Sequence, residues 1–127
     1  MGYVIFLVDD DRFVRSFLQA GLSTKKIDIY TFAGFSECLA RKSPFPDLFI
    51  FDFFGQHNNS INNALDAFLQ LRKQHIQSPV IMISGDDNHR FGNKLLHLGV
   101  YAFETKNENL LDILKAHINN LWGNQYV

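Results

Sequence analysis

The chain has 127 residues, of which 46% are hydrophobic and 20% are charged, and its formal net charge is -1. This balance is typical of an ordinary globular domain, and it argues against a disordered chain or a membrane protein. A charge so close to zero predicts no general attraction to nucleic acid or to membrane surfaces. At this length we expect one domain over residues 1–127, with residues 122–127 as a short tail.

Three further features of composition are informative. The N-terminal residues contain no basic leader and no apolar run long enough to cross a membrane, so we expect a cytoplasmic protein. The single cysteine, Cys38, is expected to be a small buried side chain in a reducing compartment. Thirteen phenylalanines lie within periodic apolar segments, where packing in the core explains them.

The first half of the chain predicts two strands, each followed by a helix. Residues 4–8 form an apolar run that stops at three aspartates, as a strand buried on both faces does. A helix capped by Asp11 follows, then an alternating edge strand over 27–32 and a short helix over 35–42. The predicted buried face of the first helix consists of Phe13, Val14, Phe17, Leu18 and Leu22.

The second half of the chain repeats this alternation three times. Apolar strands are predicted over 48–51, 80–83 and 100–104, and the first two end on Asp52 and Ser84. A polar, asparagine-rich loop over 56–63 separates the first of these strands from its helix. The three helices are predicted to bury Leu65, Phe68, Leu69 and Leu71; Phe91, Leu95 and Leu98; and Leu110, Leu111, Leu114, Ile118 and Leu121. Five strands that alternate with five helices predict a parallel sheet with helices on both faces.

The polar residues at the strand ends are expected to meet. In a doubly wound sheet the ligand site lies beyond the carboxyl ends of the strands, where the strand order reverses. Asp9 and Asp10 end the first strand, Asp52 and Ser84 end two later ones, and Lys106 follows the last strand. The sequence therefore predicts one cluster of these side chains at a single edge of the sheet.

The chemistry of this cluster suits phosphoryl transfer. Three carboxylates repel one another unless a cation neutralises them, and Mg²⁺ binds one or two carboxylates while leaving positions for water and phosphate oxygens. A lysine and a hydroxyl can neutralise and position the other phosphoryl oxygens. Asp52 stands alone at its strand end and is the preferred nucleophile, whereas Asp9 and Asp10 form a pair suited to holding metal.

Four segments resemble the signature segments of response-regulator receiver domains, in order and at the family's spacing. They are Val8-Asp9-Asp10, Asp47 to Asp52, Pro79 to Gly85 and Gly99 to Lys106. The resemblance covers essentially the whole chain. It implies a flavodoxin-like receiver fold, which is a three-layer doubly wound α/β/α arrangement with a five-stranded parallel sheet in the order 2-1-3-4-5.

The resemblance also implies a metal site and a phosphoacceptor. By its analogy, Asp9, Asp10, Asp52 and the backbone carbonyl of Phe54 hold Mg²⁺, or Mn²⁺ in its place. Asp52 accepts a phosphoryl group from a histidine kinase or a phosphotransfer protein. The chain would thus be a two-component phosphoprotein with self-catalysed transfer and dephosphorylation at most, rather than an enzyme acting on a separate substrate.

The remaining implied roles concern signal output. Ser84 binds a phosphoryl oxygen, Lys106 pairs with the phosphate, and Phe103 takes the position of the switch aromatic that moves together with Ser84. The resemblance implies a downstream protein target and a protein-binding face of helix four, strand five and helix five, and the near-neutral charge predicts no direct contact with nucleic acid or membrane. The same face could support a homodimer.

The pattern departs from the family at two places. Gly55, Gln56 and Ser60 replace the usual residues of the loop after the acceptor, and Asn107 replaces a proline, so we expect a trans peptide bond before it. These departures keep open an alternative, a degenerate receiver that binds a protein without being phosphorylated. A magnesium-dependent phosphohydrolase is disfavoured, because such enzymes carry a second aspartate at the position of Phe54.

Overall fold

The computed structural model describes residues 2–53, 63–85 and 89–126 of the chain. Within these residues, strands and helices alternate from the N-terminus to the C-terminus. The strands are β1 (Tyr3–Val8), β2 (Ile27–Phe32), β3 (Leu48–Asp52), β4 (Val80–Ser84) and β5 (Ala102–Thr105). The helices are α1 (Arg12–Leu22), α2 (Phe35–Ala40), α3 (Asn63–Lys73), α4 (His89–Leu98) and α5 (Leu110–Trp122).

The five strands form one parallel sheet in the order β2-β1-β3-β4-β5. This confirms the predicted fold class. The strand order reverses between β1 and β3, where Val8 lies opposite Phe51, and β3 continues to Asp52 opposite Ile83 of β4. The switch point expected to hold the site therefore lies at the carboxyl ends of β1 and β3.

Each face of the sheet carries its own hydrophobic cluster, because successive side chains of a strand point to opposite faces. Ile5, Leu7 and Ile50 lie in the cluster that includes buried residues of α1 and α5. Phe6 and Phe51 lie in the cluster that includes buried residues of α2, α3 and α4. The second cluster is rich in rings, and the Phe6 and Phe49 centroids lie 6.0 Å apart in an edge-to-face contact. Cys38 is buried in this second cluster, as predicted.

The predicted buried face of α1 is wrong for two of its residues. The side chains of Phe13 and Phe17 are 83% and 58% exposed, whereas Leu18 and Leu22 are fully buried. Each exposed phenylalanine immediately precedes a residue of the inward stripe, and one residue corresponds to about 100° around a helix. The stripe of α1 that faces the sheet is narrower than the apolar pattern of the sequence suggests, so the rings of Phe13 and Phe17 remain in solvent.

Several other apolar side chains predicted to be buried are exposed. Leu69 of α3 and Phe91 and Leu98 of α4 are each more than 40% exposed, and so is Phe45 in the loop before β3. The prediction that the phenylalanines all pack in the core is therefore wrong. Of the three α4 residues that were predicted to be buried, only Leu95 is buried, because the helix contacts the sheet along one line.

Two elements have a boundary two residues away from the sequence prediction, whereas β1, β3 and β4 each differ by one residue. Helix α2 ends at Ala40 rather than residue 42, because Arg41 has extended backbone angles and already forms the C-cap. Strand β5 spans Ala102–Thr105 rather than 100–104, since the amide of Val100 still donates to Leu95 at the end of α4. The asparagine-rich loop over 56–63 lies outside the described residues except for Asn63, where α3 begins.

Two residues of the predicted tail, Trp122 and Tyr126, make contacts with the rest of the fold. Trp122 belongs to α5 and stacks on Tyr3 with the ring centroids 4.1 Å apart. The Tyr126 hydroxyl donates to the carbonyl of Leu22 at 2.7 Å, which joins the C-terminal segment to the end of α1. Among the helices that the structure describes, none is long and apolar enough to span a membrane.

The substitution Tyr126→Phe tests this C-terminal contact. It retains the ring and removes the hydroxyl, which leaves the Leu22 carbonyl without this donor. We expect the free energy of unfolding to fall by about 0.5 to 1.5 kcal/mol, the usual net value of one hydrogen bond. Urea denaturation measures the change, and an unchanged midpoint would show that the segment contributes no stability.

Candidate functional site

Two carboxylates lie at the switch point of the sheet. Asp9 directly follows β1, Asp52 is the last residue of β3, and their residue exposures are 0% and 4%. Asp10 is exposed beside them, and one carboxylate oxygen from each of the three residues lies within 4.8 Å of the other two. The structure therefore brings together the three aspartates that the sequence predicted to converge.

Local hydrogen bonds fix the orientation of Asp9. Its Oδ1 accepts from the amide of Asp11 at 2.9 Å, and its backbone carbonyl accepts from Nη1 of Arg15 at 2.8 Å. Asp11 also caps α1, since its Oδ1 accepts from the amide of Phe13 at 2.8 Å. Arg15 was missed by the sequence analysis, because nothing in the spacing of a helix shows that its side chain reaches back to a strand end.

Lys106 joins the two buried carboxylates. Its Nζ lies 2.8 Å from Oδ2 of Asp9 and 3.2 Å from Oδ1 of Asp52. The backbone amide of Lys106 donates to the carbonyl of Ser84 at 2.7 Å, which holds the residue against the end of β4. The structure thus places Lys106, Asp9, Asp52 and the end of β4 at one edge of the sheet.

Asn107 does not prevent this placement of Lys106. The peptide bond between them is trans, as predicted, because the one cis peptide bond among the described residues precedes Pro44. The Asn107 side chain accepts from the amide of Asn109 at 2.9 Å, and its carbonyl accepts from Leu110 at 3.0 Å. Asn107 therefore starts the turn into α5 with its own hydrogen bonds.

The surroundings of Asp52 disfavour its ionised form. Burial raises the pKa of Asp52 to about 6, and the negative charges of Asp9 and Asp10 act in the same direction, against the opposing effect of Lys106. For Lys106, burial alone would lower the pKa. The hydrogen bond to Asp9 and the charge of Asp52 outweigh burial and raise the pKa of Lys106 above its ordinary value.

The arrangement fits a divalent cation. Oδ2 of Asp9 is fully buried, and its partner within the described part of the chain is the Lys106 ammonium at 2.8 Å. Among the described residues, Lys106 pairs with both Asp9 and Asp52, so two buried carboxylates share one ammonium charge. Carboxylate oxygens are the ligands that Mg²⁺ and Mn²⁺ accept, so Asp9, Asp10 and Asp52 are suited to hold such an ion.

Solved structures share this fold and cover nearly the whole chain. The receiver domain of the Francisella response regulator 1452 has a TM-score of 0.78 and 23% identity, covering 98% of this chain and 100% of that chain. The phosphorylated cyanobacterial phytochrome response regulator RcpA has a TM-score of 0.78 and 22% identity, covering 100% and 98%. The Mn²⁺-bound form of response regulator Rcp1 has a TM-score of 0.73 and 20% identity, covering 98% and 97%.

No protein-family model and no curated protein matches the sequence. The likeness therefore rests on structure. The chain has the fold of a response-regulator receiver domain.

The two positions that the resemblance assigned to switching lie on the neighbouring strands β4 and β5. Ser84 is fully buried as the last residue of β4, and Phe103 is partly buried on β5. The Phe103 ring packs against Gly92 of α4, where an added Cβ would lie 3.0 Å from the ring. The serine and the aromatic ring are therefore held by neighbouring strands of the sheet.

Phe53 and Phe91 form an aromatic cluster with Phe103 that the sequence analysis did not find. The Phe53 ring lies 5.6 Å from the Phe103 ring and 5.5 Å from the Phe91 ring. Phe53 follows Asp52 directly, so the cluster connects the end of β3 to α4 and β5. The available signal was the position of Phe53 next to a proposed acceptor.

Some predicted features lie outside the described residues. They are the Phe54 carbonyl, proposed as a metal ligand, and the unusual residues Gly55, Gln56 and Ser60. These assignments stay predictions.

Replacing Asp52 by asparagine is expected to stabilise the metal-free protein at neutral pH. The carboxyl ionises near 3.8 when unperturbed and near 6 in the folded protein. Between these values the folded state holds a proton that the unfolded state releases, so the contribution of Asp52 to stability falls as the pH rises. At pH 7 the gain for Asp52→Asn should reach about 1 to 3 kcal/mol, and near pH 4 it should vanish.

Urea denaturation with a chelator present measures this difference. Asp28→Asn removes an exposed carboxylate of β2 and serves as the control, with no comparable gain expected. An Asp52→Asn gain that is equal at both pH values would refute the electrostatic explanation.

Proposed function

We propose that this chain is a phosphorylation-controlled receiver that takes a phosphoryl group on Asp52. The observation that carries the proposal is the buried arrangement in which Lys106 bridges Asp9 and Asp52. Such a cluster costs desolvation free energy, and a purely structural role does not require it. Its groups match those needed to bind and neutralise a phosphoryl group.

The proposed donor is a phosphohistidine of a histidine kinase or phosphotransfer protein. An oxygen of the ionised Asp52 carboxylate forms a bond to phosphorus while the bond from phosphorus to the imidazole nitrogen breaks. The imidazole nitrogen keeps the electron pair and takes up a proton from solvent. At pH 7 the Asp52 carboxyl is mostly in its nucleophilic ionised form, because this pH lies above its pKa of about 6.

Other residues of the cluster position the phosphoryl group. Lys106 lies 3.2 Å from Asp52 and would pair with a phosphoryl oxygen, and the hydroxyl of Ser84, the buried last residue of β4, would donate to another. Asp9, Asp10 and Asp52 would hold Mg²⁺ or Mn²⁺. When bound, this ion neutralises negative charge on the carboxylates and the phosphoryl oxygens.

Phosphorylation would act on the face formed by α4, β5 and α5. The new phosphoryl oxygens would compete with Asp9 for the Lys106 ammonium and would attract the Ser84 hydroxyl. Phe103 lies on β5 and contacts both Phe53, which follows β3, and Gly92 of α4. A movement of its ring would therefore affect the contacts of both. We propose that a downstream protein, or a second copy of the chain, recognises the changed face.

The proposal is tested by incubation with Mg²⁺ and acetyl phosphate, followed by intact mass spectrometry. We expect one phosphoryl adduct that Asp52→Asn abolishes and that the control Asp28→Asn retains. Omitting Mg²⁺ should also abolish the adduct, since the acidic cluster then remains unneutralised. A wild-type protein that forms no adduct under these conditions would favour the alternative, a receiver that binds its partner without phosphorylation.

The output step is tested by Phe103→Leu, which replaces the aromatic ring with a smaller apolar side chain. Addition of Mg²⁺ and beryllium fluoride should shift the backbone amide resonances of α4 in the wild type. In Phe103→Leu the ligand should still bind at Asp52, but the shifts on α4 should be lost, because the ring contact with Phe53 is absent. Phe17→Leu alters an exposed ring of α1 and should leave the shifts unchanged. Full α4 shifts in Phe103→Leu would remove Phe103 from the switch.

A further inference from the structure

A second concave site lies on the other side of the fold from the aspartates. It is a cavity of about 110 Å³ bordered by α2, α3, the loop before β3, and strands β1 and β3. None of its lining residues belongs to the acidic cluster. Its apolar walls are formed by Phe6, Cys38, Leu39, Phe49, Leu71 and Ile76.

The interior of this cavity is unfavourable for water. Phe6, Cys38, Phe49 and Leu71 are each no more than 3% exposed, so the inner walls belong to the hydrophobic core. A water molecule needs several polar partners, and these side chains offer almost none. Protein interiors rarely leave a space much larger than one water, and an apolar space of about 150 Å³ holds a benzene molecule. This cavity is close to that size and suits a small ring or branched hydrocarbon.

The mouth of the cavity is basic. Arg41 and Lys42 both line the cavity and are both exposed, which places them at its opening. The guanidinium of Arg41 is held in place, because its Nε donates to the Ser43 carbonyl at 2.6 Å and its Cζ lies 4.8 Å from the centre of the Tyr30 ring. No acidic residue is among the described residues that line the cavity.

The thiol of Cys38 adds to the apolar character of the inner wall. Burial raises the pKa of Cys38 to about 12, so the sulfur remains a neutral thiol at physiological pH. Its small volume also leaves space that a leucine at the same position would occupy. The cavity thus combines a neutral, apolar interior with two cations at its opening.

We propose that this cavity binds a small amphipathic carboxylate, with an aromatic or branched aliphatic body inside and its anionic group at Arg41 and Lys42. The apolar body gains contacts that the empty cavity lacks, and the basic mouth excludes cations and favours anions. The cavity shares no lining residue with the acidic cluster, so the proposal does not rest on the proposed phosphorylation. Its test therefore uses the full chain without Mg²⁺ and without a phosphoryl donor.

Phenylacetate and its neutral isostere phenylacetamide are suitable probes. Each is titrated into isotope-labelled protein, and backbone amide and methyl resonances are followed. We expect saturable shifts confined to residues that line the cavity, with Ile76, Leu39 and Cys38 among them. Phenylacetate should bind more tightly than phenylacetamide. No saturable shift with either compound would overturn the proposal, and equal affinity for the two would overturn the assignment of an anionic ligand.

Two variants separate the roles of the interior and the mouth. Cys38→Leu fills the cavity and should abolish the saturable shifts, with thermal unfolding used to confirm that the variant is folded. Lys42→Gln alters an exposed side chain and should weaken phenylacetate binding about two- to fivefold, the usual range for one exposed charge pair, while leaving phenylacetamide unchanged. Lys25→Gln removes an exposed lysine that does not line the cavity and should have no effect. Undiminished phenylacetate binding by a folded Cys38→Leu protein would place the ligand elsewhere and refute the site.

Discussion

The ammonium group of Lys106 holds the carboxyl edge of the sheet together. It lies within 3.2 Å of carboxylate oxygens at the ends of β1 and β3, while its backbone amide is bonded to the end of β4. Without this cation, two carboxylates would be buried beside each other and would lose the ion pairs that the described residues supply, which is strongly destabilising. Even with it, the pKa of Asp52 is raised to about 6, so the compensation is incomplete. The acidic cluster is therefore poised to bind a further cation.

The sequence predicted the sheet better than the helix faces. A strand covered on both sides must be apolar along its length, so β1, β3 and β4 stand out as uninterrupted runs that a polar residue ends or directly follows. A helix contacts the sheet along one stripe, and apolar residues beside that stripe satisfy the same spacing. Phe13 and Phe17 show the ambiguity, because they extend the pattern of Val14 and Leu18 yet lie in solvent. Spacing alone cannot decide which side of such a pattern faces the sheet.

Part of the candidate site was predictable for a similar reason. Parallel strands place their carboxyl ends at one edge, so Asp9, Asp52 and Lys106 had to come close once the strand order was inferred. The distances and the direction of the Asp52 pKa shift depend on burial and on side-chain orientation, which no local pattern encodes. The contact of Phe53 with Phe91 and Phe103 is equally non-local, since it joins three elements that are distant in the sequence.

Because side chains alternate along β3, the two faces of this strand contact different helices. Ile50 lies in the cluster with α1 and α5, whereas Phe49, Phe51 and Phe53 lie in the cluster on the opposite face. Phe49 borders the basic-mouthed cavity, and Phe53 contacts Phe91 of α4. Close-packed rings resist compression, so a shift of β3 must be accommodated by the helices on that face. Asp52 lies between Phe51 and Phe53, so under the proposed phosphorylation the contact of Phe53 with Phe91 would connect the change at Asp52 to α4.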